Sequence, residues 1–227
     1  MILAENIYAL LDLTCLKDEV IPEDIEKLAV LAQEWQVAAV CVWPKHLAWL
    51  PKDLNIQKAS VVNFPHGQQP LEVTLQEIKD ILKDFPHTEI DYVFDYTSYL
   101  KGDTQKAIDD CAQIANFCHQ HQAKLKVIVE TGAFPDTQTI YQAAKSIIDT
   151  GADMLKTSTG KIAQGASLEA VEAFCQAIQS EQKHCGIKVS GGIRTMKQAK
   201  AYLELIHTYL PHLQEIRLGC SQLVNDL

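Results

Sequence analysis

Short apolar runs alternate with longer amphipathic stretches almost from one end of the chain to the other. The runs Tyr8–Leu13, Ala38–Val42, Ala59–Asn63, Ile90–Phe94, Lys126–Glu130, Met154–Lys156, Ile187–Ser190 and Glu215–Leu218 read as strands. Several are continuous rather than alternating, as expected of strands covered by helices on their outer side. Helical windows lie between them, at Pro22–Trp35, Pro70–Lys83, Thr104–His121, Thr137–Thr150, Leu168–Gln179 and Thr195–Leu210. In the first window Ile25, Leu28, Ala29 and Ala32 fall at i, i+3, i+4 and i+7, the spacing of one apolar stripe. The connection from Pro44 to Asp53 has room only for a small helix. Gly151 and Gly186 stand just before strands, where a helix C-terminal cap calls for positive φ.

Eight strand–helix units in 227 residues predict a (β/α)₈ TIM barrel, an α/β fold spanning residues 1–227 as a single domain. No Pro/Gly/Ser-rich linker or low-complexity segment divides the chain. An open doubly wound sheet is the alternative. A dinucleotide-binding version of it is disfavoured, because no GxGxxG follows the first strand.

The net charge of −9 argues against nucleic acid or an anionic membrane as the main partner. It leaves room for a small phosphorylated substrate, since backbone N–H groups can hold an anion inside an acidic protein. Seven cysteines without a CxxC spacing are expected to be free buried thiols in a reducing cytosol, not disulfides or zinc ligands. Cys111 and Cys118, seven apart in a helical window, fall on one face. Glu5 precedes any basic residue, so no signal peptide is expected. The longest apolar stretch, Val37 to Trp43, is too short to cross a bilayer. A soluble, cytoplasmic protein is the expectation.

Two lysines break the apolar pattern: Lys156 in Met154-Leu-Lys156-Thr-Ser-Thr-Gly160 and Lys188 in Ile187-Lys188-Val-Ser-Gly191-Gly192. A buried ammonium loses its water, and two on neighbouring strands about 4.8 Å apart disfavour each other's charge. A neutral lysine is a nucleophile towards carbonyls, so the pair points to Schiff-base chemistry. In a barrel, active sites collect at the C-terminal ends of the strands. Asp12 and Thr14 close the first strand and Asp91 lies in the fourth. Thr159, Gly160 and Lys161 follow the sixth, Gly191 and Gly192 the seventh, Gly219 and Ser221 the eighth.

Plainer roles stand beside these. A strand lysine can snorkel to the barrel mouth and only cover apolar surface. Asp91 can serve as a neutralising partner, and Asp12 with Thr14 as a loop cap. Glu130 reads as a packing or hydrogen-bonding residue, His66 as a structural loop histidine and Cys41 as core. Trp35, Trp43 and Trp49 read as packing anchors.

At these residues the chain resembles the 2-deoxyribose-5-phosphate aldolase family along nearly its whole length. The resemblance is carried by Leu11-Asp12-Leu13-Thr14, Asn63-Phe64-Pro65-His66-Gly67, Glu89-Ile90-Asp91-Tyr92-Val93-Phe94 and Val129-Glu130-Thr131-Gly132. Most specific are Lys156-Thr157-Ser158-Thr159-Gly160 and Lys188-Val189-Ser190-Gly191-Gly192-Ile193-Arg194-Thr195. The family implies a class I, metal-independent, cofactor-free aldolase. It reversibly cleaves 2-deoxy-D-ribose 5-phosphate to acetaldehyde and D-glyceraldehyde 3-phosphate.

By resemblance, Lys156 is the Schiff-base lysine and Asp91 moves protons through an ordered water. Lys188 is the second lysine, which depresses the pKa of the first and helps transfer protons. Gly160, Lys161, Gly191, Gly192, Gly219 and Ser221 would hold the phosphate, with Thr159 beside them. Asp12 and Thr14 would line the opposite side of the cavity and position the sugar hydroxyls.

Two departures stand out. Gly219-Cys220-Ser221-Gln222 keeps one of two serines often found there, leaving the amide of Gln222 to replace a hydrogen bond. The chain also stops at Asn225-Asp226-Leu227 without the terminal tyrosine that assists proton transfer in some relatives. Alternatives to the leading function are another Schiff-base phosphosugar aldolase, a catalytically weak sugar-phosphate-binding barrel and a phosphate-binding isomerase. A homodimer is possible, but helix-face patterns do not separate an interface from an ordinary surface patch.

Overall fold

Unpaired strand edges leave backbone donors and acceptors without partners, and closing a sheet on itself removes them. In the structure, a computed structural model that describes residues 7–221, eight parallel strands close in the order of the sequence. They are β1 (Leu11–Cys15), β2 (Ala39–Val42), β3 (Gln57–Val62), β4 (Glu89–Val93), β5 (Leu125–Ile128), β6 (Met154–Lys156), β7 (Gly186–Ser190) and β8 (Ile216–Cys220). Closure is made by β1 against β8, with Asp12 opposite Gly219. The (β/α)₈ expectation holds and the open sheet is excluded.

The helices are α1 (Pro22–Trp35), α2 (Leu71–Asp84), α3 (Tyr96–Leu100), α4 (Thr104–Gln120), α5 (Thr137–Asp149), α6 (Leu168–Glu181) and α7 (Met196–Tyr209). Their starts follow local chemistry. Pro22 is the first residue of α1, where its missing N–H is no loss. Asp136, Ser167 and Thr195 accept the N–H of the third residue of α5, α6 and α7. Between β2 and β3 the predicted small helix is a 3₁₀ turn, Pro44–Trp49.

Four local expectations are corrected. Tyr8–Leu10 belong to a 3₁₀ turn (Ile7–Leu10), not the first strand. The turn of helix α3 was not predicted, because five residues are too few to show a period; its signal is the cap, Asp95 accepting the Ser98 N–H at 3.0 Å. Gly151 does take positive φ, but Gly186 does not. Gly186 begins β7, and a Cβ there would meet the Glu215 carbonyl oxygen at 2.7 Å, so close approach rather than a cap excludes a side chain. Cys15 is half-buried, whereas the other six cysteines are buried; all seven are free.

Successive strand residues face opposite sides, and the two sides differ in chemistry. Outward-facing residues such as Val40, Ile90, Tyr92, Val127 and Leu155 join the helices in one large core. Inside the barrel, small apolar residues from β2 and β3 (Ala39, Cys41, Ala59, Val61) form a separate cluster under Leu16, Trp43 and Phe64. The interior from β4 round to β1 carries the charged side chains, with Val93, Ile128 and Met154 among them. No helix among the described residues is long and apolar enough to cross a membrane.

Candidate active site

The charged side of the barrel is built from adjacent strands. Lys156 lies directly beside Lys188, Lys188 beside Arg217, and Asp91 beside Lys126. Asp91 is fully buried and serves three ammonium groups. Its Oδ1 accepts from Lys126 Nζ at 2.9 Å, and its Oδ2 accepts from both Lys156 Nζ and Lys188 Nζ at 2.7 Å. Asp12 accepts from Lys188 through Oδ2 and from Arg217 Nη1 through Oδ1 at 2.9 Å, with Lys126 Nζ 3.4 Å away. Lys126 also stands 2.6 Å from Glu89 Oε2, and Arg217 Nη2 3.6 Å from Glu89 Oε1.

The three lysines are therefore unequal. Lys126 touches three carboxylates, Lys188 two and Lys156 one. Burial alone would push every one of these amines down, because it penalises the charged form. For Lys126 the attraction of Asp91, Asp12 and Glu89 overturns burial and holds the amine well above the ordinary lysine range. For Lys188, Asp12 and Asp91 likewise outweigh burial, and its pKa is raised. For Lys156 burial wins: its pKa is lowered, Asp91 opposing and the charge of Lys188 adding to the fall. The carboxyls of Asp91 and Asp12 are held below the usual range, their burial outweighed by the surrounding cations. Charge counting agrees. At contact distance Lys126, Lys156, Lys188 and Arg217 meet three carboxylates, Asp12, Glu89 and Asp91, so a neutral Lys156 balances the contacting groups; Glu130 and Glu215 act on Lys156 and Arg217 from farther off.

Cys41 lies on the rim of this cluster, its Sγ 3.9 Å from Asp91 Oδ2. Burial first, and then Asp91, push its thiol up to about 11, so it stays protonated and packs as the core residue it was expected to be.

The loop from Thr157 to Ser167 is tied down on both flanks. Thr157 Oγ1 donates to the Ser190 carbonyl at 2.9 Å and accepts the Ser190 N–H at 2.9 Å. Glu130 takes the left-handed conformation at φ 60°, a costly one for glutamate. There its Oε2 accepts from Thr159 Oγ1 at 2.5 Å, in keeping with the hydrogen-bonding role expected of it. Gly165 and Gly191 let two backbones touch: a Cβ on Gly165 would lie 2.3 Å from the Gly191 carbonyl oxygen. Gly160, Gly191 and Gly192 all have positive φ, and a Cβ on Gly192 would meet nothing within 4 Å, so this backbone borders open space.

The structure thus brings Asp91, Lys156, Lys188 and Asp12 into contact, with Thr159, Gly160, Gly191 and Gly192 along one edge. Other candidates are placed differently. The Asp12 oxygens are both occupied by cations, and Thr14 Oγ1 donates to the Asp12 carbonyl at 2.8 Å. Lys161 crosses the mouth, its Nζ donating to the Leu16 carbonyl at 2.8 Å and lying 5.9 Å from the Trp43 ring centre. Gly219 sits within β8 with ordinary φ; a Cβ there would strike Ser190 Cβ at 2.8 Å and Lys188 Cε at 3.3 Å. Ser221 is exposed just beyond β8. Gln222 and the 225–227 end lie outside the described residues. Sequence reasoning missed Lys126, Arg217 and Glu89. The rule that singled out Lys156 and Lys188, a charge inside an apolar strand, applies equally to Leu125-Lys126-Val127 and Ile216-Arg217-Leu218. Among the described residues, no group of three His, Cys, Asp or Glu side chains is arranged to hold a metal ion.

A parallel barrel whose strand ends hold a buried, charge-coupled lysine pair has the make-up of a lysine-dependent aldolase. The chain belongs to the DeoC/LacD family of aldolases, whose pattern matches residues 7–210. It is 36% identical to the deoxyribose-phosphate aldolase of Agrobacterium fabrum, over 96% of this chain and 88% of that protein. Among solved structures it is similar to the tetrameric deoxyribose phosphate aldolase of Aeropyrum pernix. There the TM-score is 0.82 and the identity 25%, over 96% of this chain and 89% of that one. A second aldolase structure, named QR15, superposes with TM-score 0.83 and 26% identity, over 96% of this chain and 92% of that one.

Proposed function

We propose that this chain is a class I aldolase that reversibly cleaves 2-deoxy-D-ribose 5-phosphate to D-glyceraldehyde 3-phosphate and acetaldehyde. The observation that carries the reading is Lys156: a buried amine with one shared carboxylate contact, depressed while its two lysine neighbours are raised. An uncharged amine has the lone pair needed to add to the substrate C1 carbonyl. Loss of water from the carbinolamine leaves an iminium. The C3 hydroxyl gives up its proton as the C2–C3 bond breaks, and that electron pair forms the enamine on Lys156. Protonation at C2 and hydrolysis release acetaldehyde and restore the amine.

Asp91 and Lys188 share a proton-bearing contact beside Lys156 Nζ, which suits them to move these protons through a water. The positive-φ backbone at Gly160, Gly191 and Gly192, with Thr159, Lys161, Gly219 and Ser221, supports the phosphate end. Of the β1 pair, half-buried Thr14 would face the sugar hydroxyls, and Asp12, its oxygens held by Lys188 and Arg217, would act from beneath. In this reading the enzyme needs no metal or cofactor, works in the cytoplasm on a small phosphorylated aldehyde or sugar, and can form a homodimer.

Borohydride added with deoxyribose 5-phosphate should reduce the iminium and leave a stable adduct, found by peptide mass mapping on Lys156. Acetaldehyde should form without borohydride, and activity should survive EDTA. No adduct on Lys156 and no acetaldehyde would defeat the reading, and acetaldehyde-free cleavage of another phosphosugar would move the assignment to a different aldolase.

A further inference from the structure

Arg217 touches neither Asp91 nor Lys156 among the contacts of the cluster, yet it holds Asp12 at 2.9 Å and Glu89 at 3.6 Å. Its guanidinium keeps its charge at every working pH. Its side chain is largely buried, 18% exposed, so its charge acts through a poorly screened medium. We infer that Arg217 is a positioning residue that keeps Lys156 available as a free amine by adding, to Lys126 and Lys188, a third fixed cation for the three carboxylates in contact.

Seven of the eight strands around the cluster contribute a titratable or charged group. β1 contributes Asp12, β2 the thiol of Cys41, and β3 only Ala59 and Val61. β4 contributes Glu89 and Asp91, β5 Lys126, β6 Lys156 itself, β7 Lys188 and β8 Arg217. Farther off, Glu130 acts on Lys156 while accepting from Thr159, and Glu215 acts on Arg217 while Lys124 holds it at 2.7 Å. Lys126 and Lys188 each reach more than one carboxylate, so they keep their protons first. Lys156 touches Asp91 alone, and shares it with two other cations, so it is the amine held least strongly in its charged form. Taking away Arg217 would give three amines for three carboxylates. Asp12 and Glu89 would then draw Lys188 and Lys126 more fully, and Asp91 would be left to Lys156. This redistribution favours a protonated Lys156.

The inference rests on Lys156 being the reactive amine of the proposed aldolase, so its test includes a measurement that needs no substrate. Arg217→Met, Arg217→Lys and Glu89→Gln would be compared with the unaltered chain, with thermal melts to establish folding. Competitive acetylation by acetic anhydride across pH, with mass mapping of the Lys156 peptide, reads the free-amine fraction directly. The acid limb of deoxyribose 5-phosphate cleavage, as kcat/KM, gives the catalytic counterpart. In Arg217→Met both limbs should move up by about one pH unit, which is roughly a tenfold loss at any pH on the limb. Arg217→Lys should bring them back, and Glu89→Gln should move them down. An acetylation limb unmoved in folded Arg217→Met would overturn the inference. If that variant does not fold, an unmoved or rising limb in Glu89→Gln would overturn it. A chain that shows the acetylation shifts without cleaving the sugar phosphate would keep this inference and defeat the proposed function instead.

Discussion

Asp91 divides one carboxylate among three ammonium groups, and the division decides what each lysine can do. The same substitution should therefore have opposite consequences at two of them. Lys126 neutralises Asp12, Glu89 and Asp91 together, so Lys126→Met leaves buried carboxylates without their main partner. Breaking a buried ion pair by removing one member costs about 3–5 kcal/mol, and chemical denaturation should show a loss of that size. Lys156 is held partly against its own charge, and Asp91 keeps two other cations when it is removed. Lys156→Met should abolish turnover and adduct formation while the melting temperature at pH 7 does not fall. A large drop there would show that Lys156 is a structural counter-ion. Lys188→Leu should raise the acid limb of the rate profile, because the repulsion that helps depress Lys156 is gone. An unchanged profile would separate the two lysines.

At the scale of elements, the β6–α6 connection is shaped by contacts to its neighbours. Gly165 meets Gly191 backbone to backbone, and the Ala166 N–H donates to the Gly191 carbonyl at 3.0 Å. Since Gly165 has ordinary φ, its lack of a side chain serves this approach and not a turn. Gly165→Ala would lift the loop from the Gly191–Gly192 backbone and pull the two sides of the proposed phosphate cradle apart. The expected outcome is a KM for deoxyribose 5-phosphate raised about tenfold or more, with kcat far less affected, since small displacements of positioning groups are costly. Steady-state kinetics would check it, and an equal fall in kcat would place the loop in the chemistry itself. The elements that the apolar pattern located well, α1 and β6, are those whose ends carry local signals: Pro22 at one start, Lys156 and its glycine at the other. β1 was misjudged because Tyr8 and Leu10 are apolar for packing on the outer core, not for pairing.

For the whole molecule, one side of the barrel interior is an ionic cluster where branched aliphatic layers usually lie, set against the apolar cluster from β2 and β3. Asp12 and Asp91 have folded pKa values below the ordinary carboxylate range. Their stabilisation is complete above the unfolded value and is lost as pH falls through the folded one. Stability measured by thermal melts should therefore decline once the pH drops below about 4, where unfolded aspartates take up protons. Asp12→Asn should be less stable than the unaltered chain at pH 7, and the gap between them should narrow as the pH falls to about 3. A gap that stays constant with pH would mean that Asp12 stabilises through packing and not through its charge.

The sequence by itself determined the barrel and the strand ends at which chemistry gathers. Strand and helix periodicity, caps and glycines are local properties, and lysines inside apolar strands are legible as anomalies wherever they occur. Asp91, Lys156 and Lys188 could be read in this way, and Lys126 and Arg217 carried the same signal unread. What only the tertiary structure decided is which charge faces which, because that depends on the stagger of strands 35 to 205 residues apart along the chain. The stagger turned Asp12 towards Lys188 and Arg217 and gave Lys126 three carboxylates. It left Lys156 with a share of one. Burial applies to all three lysines alike; the number of carboxylates each can reach separates the amine free to react from the two that hold the barrel together.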